Sequence, residues 1–309
     1  MAILTVKELS KNYKNVKALQ GVSFSVPEKT VFGILGPNGS GKTTLLGIVM
    51  DVLKASGGSY SWLGAEQQSS SDIRKRIGTL LETPNFYHYL SAEENLVIAA
   101  KIKGNGLQNI EKVLKIVNLY QRKDSKFSTF SLGMKQRLAI ASALLADPDI
   151  LVFDEPTNGL DPAGIAEIRE LIRELNRNGK TIIMASHILD EVEKVCTHVA
   201  IIQKGILKMV GSVSEVMSTT GNAGIKTTVL IELAADDNEV LKNILKDTKD
   251  VISVLNVENY LQVTCNENMT ASGINKLCFE KGIVLKMLIE KRKSLETRFL
   301  EITGTQSDK

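Results

Sequence analysis

Gly36-Pro37-Asn38-Gly39-Ser40-Gly41-Lys42-Thr43-Thr44 is the stretch whose reading decides the fold. Immediately before it, Val31-Phe32-Gly33-Ile34-Leu35 is a short apolar run suited to a buried strand, and immediately after it Leu45-Leu46-Gly47-Ile48-Val49-Met50 continues as an apolar-faced helix. Strand, glycine loop and helix in that order form a phosphate-binding loop. Glycines let the backbone curl so that several N–H groups converge on one anion, and the helix adds its positive N-terminal end. Lys42 can then reach the terminal phosphates and the Thr43 hydroxyl can ligate Mg²⁺. Gly36 to Thr44 are therefore expected to bind a nucleoside triphosphate, and a plain glycine turn is the weaker reading.

Working outward, the 309 residues suffice for one large domain with an appendage or two ordinary domains. A hydrophobic fraction of 43% and a charged fraction of 24% fit a globular protein with a sizeable core. The net charge of +3, with no single-sign stripe, argues against a nucleic-acid partner. Cys196, Cys265 and Cys278 are odd in number and in no CxxC spacing, so they are expected to be reduced packing residues rather than a metal or redox centre. No apolar window of about 18 residues occurs, so no membrane-spanning helix is expected.

The pattern along the first half alternates strands with helices, as in a mostly parallel sheet covered by helices. Strands are predicted at 2–9, 22–26, 31–35, 150–153, 181–185 and 199–202, with Lys204-Gly205 as a turn. Residues 86–147 are richer in helix formers. Ser91-Ala92-Glu93-Glu94 opens one helix with a capping pattern, residues 109–119 carry another, and 163–176 a further one. Ser218 to Gly224 is small, polar and glycine-containing, a linker candidate. It separates an expected domain at 1–220 from one at 221–309. The latter reads strand 227–233, helix 239–246, hairpin 251–265, helix 272–280, strand 284–289 and a final helix 294–302, a βαββαβ order similar to a small ferredoxin-like α+β module.

Ile150-Leu151-Val152-Phe153-Asp154-Glu155 is a buried strand ending in two acids. At the end of a parallel strand these emerge where ligands bind, so Asp154 can hold Mg²⁺ opposite Thr43 and Glu155 can polarise a water. Ser131 and Gly133 begin a helix and are the parts of an anion site, although an ordinary N-cap has the same spacing.

Together these residues resemble the ATP-binding subunit of an ABC transporter over roughly residues 1–215. The resemblance implies an α/β P-loop NTPase (RecA-like) core with a helical subdomain. It makes Gly36–Thr44 the Walker A loop, Ile150–Glu155 the Walker B strand, Ser131–Gln136 the family signature and Asn158–Asp161 the D-loop. It makes His187 the switch histidine and Tyr13 the residue stacking on adenine. It further implies ATP and Mg²⁺ as cofactors, hydrolysis through Glu155 and His187, and a head-to-tail homodimer. In that dimer Ser131 and Gly133 of one subunit close on ATP held by the other. The chain departs from the family at Glu82, where glutamine is usual beside Mg²⁺, and at Leu132 and Met134 of the signature. Glu82, Phe86-Tyr87, the signature Ser-Leu-Gly-Met-Lys-Gln-Arg and the C-terminal module resemble ATPases of ABC-2-type exporters, including those for bacitracin and lantibiotic self-protection. That branch implies a separate integral-membrane permease contacted through residues 82–89 and the helical insertion, and a peripheral place on the cytoplasmic face of the cell membrane. The other reading is a soluble ABC-type ATPase acting on ribosomes or in DNA repair. Fused paired domains or sustained heptads would mark that class, and this sequence shows neither.

Overall fold

The computed structural model describes residues 1–66, 76–81, 85–218, 228–266, 269–291 and 295–303. The chain forms two compact units, Met1–Val213 and Ser214–Lys309.

In the first unit, strands β1 (Ala2–Tyr13) and β2 (Val16–Pro27) form a long antiparallel hairpin. With β4 (Gly57–Trp62) and β5 (Ala65–Glu66) they make a sheet of order β2-β1-β4-β5, antiparallel throughout. The main sheet has six strands in the order β10-β9-β3-β8-β7-β6. These are β3 (Val31–Leu35), β6 (Ile77–Leu80), β7 (Ile150–Asp154), β8 (Thr181–Ser186), β9 (His198–Gln203) and β10 (Ile206–Ser212). Neighbours are parallel except β10, which runs antiparallel to β9. Every residue of β3 and β8 is buried, which is why those segments read as continuous apolar runs rather than alternating ones.

Helix α1 (Lys42–Val49) follows the glycine loop, and Leu45, Leu46 and Ile48 have no exposed surface. They share one apolar cluster with Leu4, Leu9 and Val22 of the antiparallel sheet and Ile34, Val152 and Ile183 of the main sheet. The helix is thus held by the core, not by its eight residues of local propensity.

The α/β class and P-loop order stand as expected, with two corrections. The strands at 2–9 and 22–26 are longer than predicted and belong to a second, antiparallel sheet. Residues 57–62, 65–66, 77–80 and 206–212 also form strands that were not predicted. β4 starts Gly57-Gly58 and β10 has no fully buried residue, so neither carries a strong period-2 signal. The helical insertion holds α2 (Ala92–Lys103), α3 (Ile110–Ile116) and α4 (Leu132–Leu144). α2 begins with the expected capping box: Ser91 Oγ accepts from Glu94 N, and the Glu94 carboxylate accepts from Ser91 N at 2.7 Å. After β7 come α5 (Pro162–Arg177) and, after β8, α6 (Leu189–Val195).

The second unit begins in α7 (Val213–Ser218) and continues β11 (Thr228–Ala235), α8 (Asn238–Lys246), β12 (Val251–Val257), β13 (Tyr260–Asn266), α9 (Ala271–Glu280), β14 (Leu285–Lys291) and α10 (Leu295–Thr303). Its antiparallel sheet has the order β12-β13-β11-β14, and with the βαββαβ succession this is the split-βαβ arrangement. The core is its own: Ile231, Leu233, Leu241, Leu245, Leu261, Val263, Ile274 and Cys278 form one buried cluster. Arg298 of α10 donates from Nε to the Val216 carbonyl of α7 at 3.1 Å. All of the linker candidate except Ser218, together with Thr227 and Ser294, lies outside the described residues. Cys196, Cys265 and Cys278 are free and buried. Among the described residues no helix is long and apolar enough to cross a membrane.

Candidate nucleotide site

The glycine loop connects the C-terminal end of β3 to α1, at the centre of the main sheet. Gly39 and Gly41 have φ of 77° and 107°, conformations that a side chain resists. Gly36 is required for a different reason: a Cβ there would sit 2.2 Å from the Ile202 carbonyl and 2.4 Å from Ser40 Oγ. The loop is braced from below by the Lys204-Gly205 turn, where Gly205 N donates to Ser40 O at 2.9 Å and Gln20 N donates to Gly205 O at 2.8 Å. A pocket of ≈ 520 Å³ lies over the loop, lined by Asn38 to Thr44, Glu155 and, from neighbouring strands and turns, Val16, Lys17, Gln20 and Lys204.

Lys42 is 5% exposed, and its Nζ donates to Gly36 O at 2.8 Å and Pro37 O at 3.3 Å. It also lies 3.5 Å from Glu155 Oε1. The cation is thus held under the loop facing the pocket, where an anion would be strongly attracted.

Asp154 and Glu155 are adjacent, and in a regular strand adjacent side chains point to opposite faces. The chain avoids this at Glu155, whose φ of 49° is left-handed, a conformation worth about 1–2 kcal/mol of strain in a residue with a Cβ. The turn begins with Glu155 N still donating to Ala185 O at 3.0 Å and closes with Asn158 N donating to Glu155 O at 3.1 Å. The Glu155 carboxylate is thereby turned to the loop pocket. Thr43 lies near enough to Asp154 to lower its pKa, while Glu155 Oε2 lies 2.9 Å from His187 Nδ1. Burial pushes the Asp154 carboxyl above the ordinary range, opposed by Thr43; the Glu155 charge raises it further and Lys42 lowers it.

Asp154 Oδ1 is buried with no hydrogen-bond partner. A bare carboxylate oxygen beside a threonine hydroxyl is a hard-oxygen pair suited to a divalent cation. Among the described residues no group of three or more His, Cys, Asp or Glu gathers as a metal cage. Two protein oxygens without a cage suit Mg²⁺, which keeps waters and takes substrate phosphates as its remaining ligands. Glu82, the expected third metal residue, lies outside the described residues.

Four expected contributors, Tyr13, Asp161, Ser131 and Gly133, do not line the loop pocket. Tyr13 ends β1 opposite Val16, half-exposed beside the pocket, with Lys11 Nζ 4.9 Å from its ring centroid. Asp161 caps α5, its Oδ1 accepting from Gly164 N at 3.0 Å. Ser131 caps α4 through Met134 N, and a Cβ built on Gly133 would meet nothing within 4 Å, so this helix start faces open space. It is Leu132, between Ser131 and Gly133, that adjoins the Asn158–Asp161 segment: a Cβ on Gly159 would lie 3.2 Å from Leu132 Cδ2.

Lys17, Gln20 and Lys204 also line the pocket, and no motif in the sequence marks them. The Lys204-Gly205 turn was recognisable, but nothing in its sequence says that β9 and β10 carry it beneath the loop. No motif marks Asn95 either. It is buried in α2, and its side chain accepts from Tyr87 N at 2.8 Å and donates to Tyr87 O and Ser91 O at 3.1 and 2.9 Å. It fixes the segment that borders a second groove, of ≈ 620 Å³, lined by Leu80, Phe86, Tyr87, Ile98, Ile102 and Lys103 among others.

A phosphate loop at the head of a parallel sheet, with a carboxylate, a second carboxylate and a histidine facing it, defines a P-loop nucleoside triphosphatase. Comparison with known proteins places it more closely. The family model for ABC transporters matches residues 19–158. The chain is 35% identical to the uncharacterized ABC transporter ATP-binding protein YhcH of Bacillus subtilis (strain 168), covering 98% of this chain and 96% of that protein. It is 43% identical to the bacitracin transport ATP-binding protein BcrA of Bacillus licheniformis over 66% of this chain and 68% of that one. Among solved structures, a dimeric ATP-binding cassette in a post-hydrolysis state, bound to ADP and Pi, is 27% identical with a TM-score of 0.61, covering 68% of this chain and 98% of that chain. The chain belongs to the ABC transporter ATP-binding family, in its ABC-2-type exporter branch, and it hydrolyses ATP.

Proposed function

We propose that the protein is the ATP-hydrolysing subunit of an ABC-2-type exporter, working as a head-to-tail homodimer on a separate integral-membrane permease at the cytoplasmic face of the membrane. The observation that carries the dimer is the division of the site. Lys42 and Glu155 line the loop pocket, with His187 against Glu155 and Asp154 next to it in the chain, whereas Ser131 and Gly133 open outward from another helix of the same chain. An anion-binding helix start without an anion of its own is completed by the loop pocket of a second copy. A solved relative that is itself dimeric and bound to ADP and Pi supports a dimer.

Within that reading each residue has a role. The backbone of Gly36 to Thr44 cradles the phosphates, Lys42 neutralises the terminal ones, and Tyr13 stacks on adenine. Thr43 and Asp154 are the residues that would hold Mg²⁺, which when bound offsets phosphate charge; Glu82 is proposed as a further oxygen ligand. Glu155 accepts a proton from the attacking water at its carboxylate, and His187, sharing the other carboxylate oxygen's hydrogen bond, holds Glu155 in place and faces the γ-phosphate. Asp161 holds the Asn158–Asp161 segment as a cap and contacts the site across the dimer. The groove bordered by Phe86, Tyr87, Ile98 and Ile102 is the surface proposed for the permease. The ribosome or repair reading gains no support from relatives named for transport.

Two measurements test this. Glu155→Gln is expected to slow phosphate release on the order of 10²–10⁴-fold, the contribution of a general base, while ATP still drives dimer formation seen by light scattering. Mixing Ser131→Arg with Lys42→Ala subunits, each inactive alone, is expected to restore one composite site and partial ATPase activity. No recovery from well-folded partners would remove the shared site.

A further inference from the structure

His187 is delivered to Glu155 by the turn between β8 and α6, and α6 cannot fix that position from its own sequence. It is seven residues long, and its N-cap, Ile188, makes no side-chain capping bond. One face rests on β3, where a Cβ at Gly33 would come within 2.8 Å of Val192 Cγ1 and 2.9 Å of Cys196 Sγ. Such apolar contact is non-directional and leaves sliding and rotation of a short helix poorly specified.

Two arginines of α5 supply the missing direction. Arg169 and Arg173 are four residues apart and share one stripe of that helix. Arg169 Nη1 lies 3.4 Å from Glu191 Oε1, four residues after His187, and Arg173 Nη2 donates to the Lys194 carbonyl at 2.6 Å, at the other end of α6. The first pair is shielded, with side-chain exposures of 23% for Arg169 and 9% for Glu191. Glu191 Oε2 is buried without a hydrogen-bond partner. A carboxylate kept there at that cost, where an apolar side chain would pack, marks a position chosen for geometry rather than stability.

We infer that Arg169, acting through Glu191, is a positioning residue for His187, with Arg173 anchoring the far end of the same helix. The inference rests on the proposed role of His187 with Glu155. Because α5 also begins at Asp161, one helix sets both the Asn158–Asp161 segment and the switch histidine.

The test is ATP hydrolysis by the purified full-length chain carrying Glu191→Gln, which keeps the shape and removes the charge. The expected result is a fall in kcat on the order of ten- to a hundredfold, the scale of misplaced catalytic groups, with KM for ATP and thermal stability little changed. Arg169→Lys is expected to recover part of the lost rate relative to Arg169→Ala. In a His187→Ala background Glu191→Gln is expected to cause no additional loss, because the group it positions is gone. Equal losses in both backgrounds would reveal a merely structural ion pair and overturn the inference. Arg173→Gln provides a second variant with the same expected dependence on His187, should Glu191→Gln fail to fold. If His187→Ala alone leaves kcat intact, the role of His187 falls and this inference with it. If His187→Ala slows hydrolysis but Glu191→Gln does not, only this inference fails.

Discussion

Single residues decide the chemistry here through backbone geometry as much as through their side chains. Glu155 takes a left-handed conformation that turns its carboxylate to the loop pocket and to His187, a strain that the surrounding ladder and the His187 contact hold in place. Gly36 is fixed by crowding rather than by its φ. Gly36→Ala is expected to destabilise the protein by about 1–3 kcal/mol, as overpacking does. It should also weaken nucleotide binding, because the loop has to move off the Ile202 carbonyl. Thermal unfolding and titration with a fluorescent ATP analogue would measure both. Lys42→Ala is expected to leave the fold in place and to lower nucleotide affinity at least tenfold, about 1.4 kcal/mol, by removing the buried cation that faces the phosphates.

Elements are held in two ways, by core burial and by end chemistry, and they respond differently to pH. α1 is clamped by apolar side chains from both sheets, whereas α2 is defined by its capping box and by Asn95. The Glu94 carboxyl is held below the ordinary glutamate range by the backbone N–H of Ser91 and then by its hydroxyl. A depressed carboxylate pKa contributes stability in full above the unfolded-state value and loses it as pH falls through the folded one. Wild-type protein is therefore expected to exceed Ser91→Ala in Tm at pH 7, and the gap should narrow as pH falls through the lowered Glu94 pKa and the carboxyl becomes protonated. A gap that stays constant through that range would show that Glu94 takes no part. The capping pattern was readable from Ser91-Ala92-Glu93-Glu94 because it is local. The clamp on Tyr87 was not, because an asparagine inside a helical run looks like any solvent-facing amide until the 85–91 segment folds over it.

In the whole molecule, the nucleotide site and the βαββαβ unit draw on separate cores, so each is expected to fold without the other. Residues 1–213 expressed alone should bind ATP with an affinity close to that of the full chain, since every loop, carboxylate and histidine of the site lies within them; isothermal titration would check this. A loss of binding would assign the second unit a part in shaping the site. Much of this organisation was already present in the order of residues. The glycine loop between an apolar strand and an apolar helix, the acidic strand end and the βαββαβ succession are all patterns of neighbours, and local sterics and periodicity are sufficient to specify them. The second antiparallel sheet was half legible: its two long strands read as strands, whereas β4 opens on Gly57-Gly58 and β5 has only two residues, so pairing in space rather than their own pattern makes those two strands. Tertiary structure alone brought Lys17, Gln20 and Lys204 to the pocket and divided Ser131 and Gly133 from it. It also laid Arg169 against Glu191 behind His187. Those relations join residues far apart in the chain, and a distance in space is set only when the core closes.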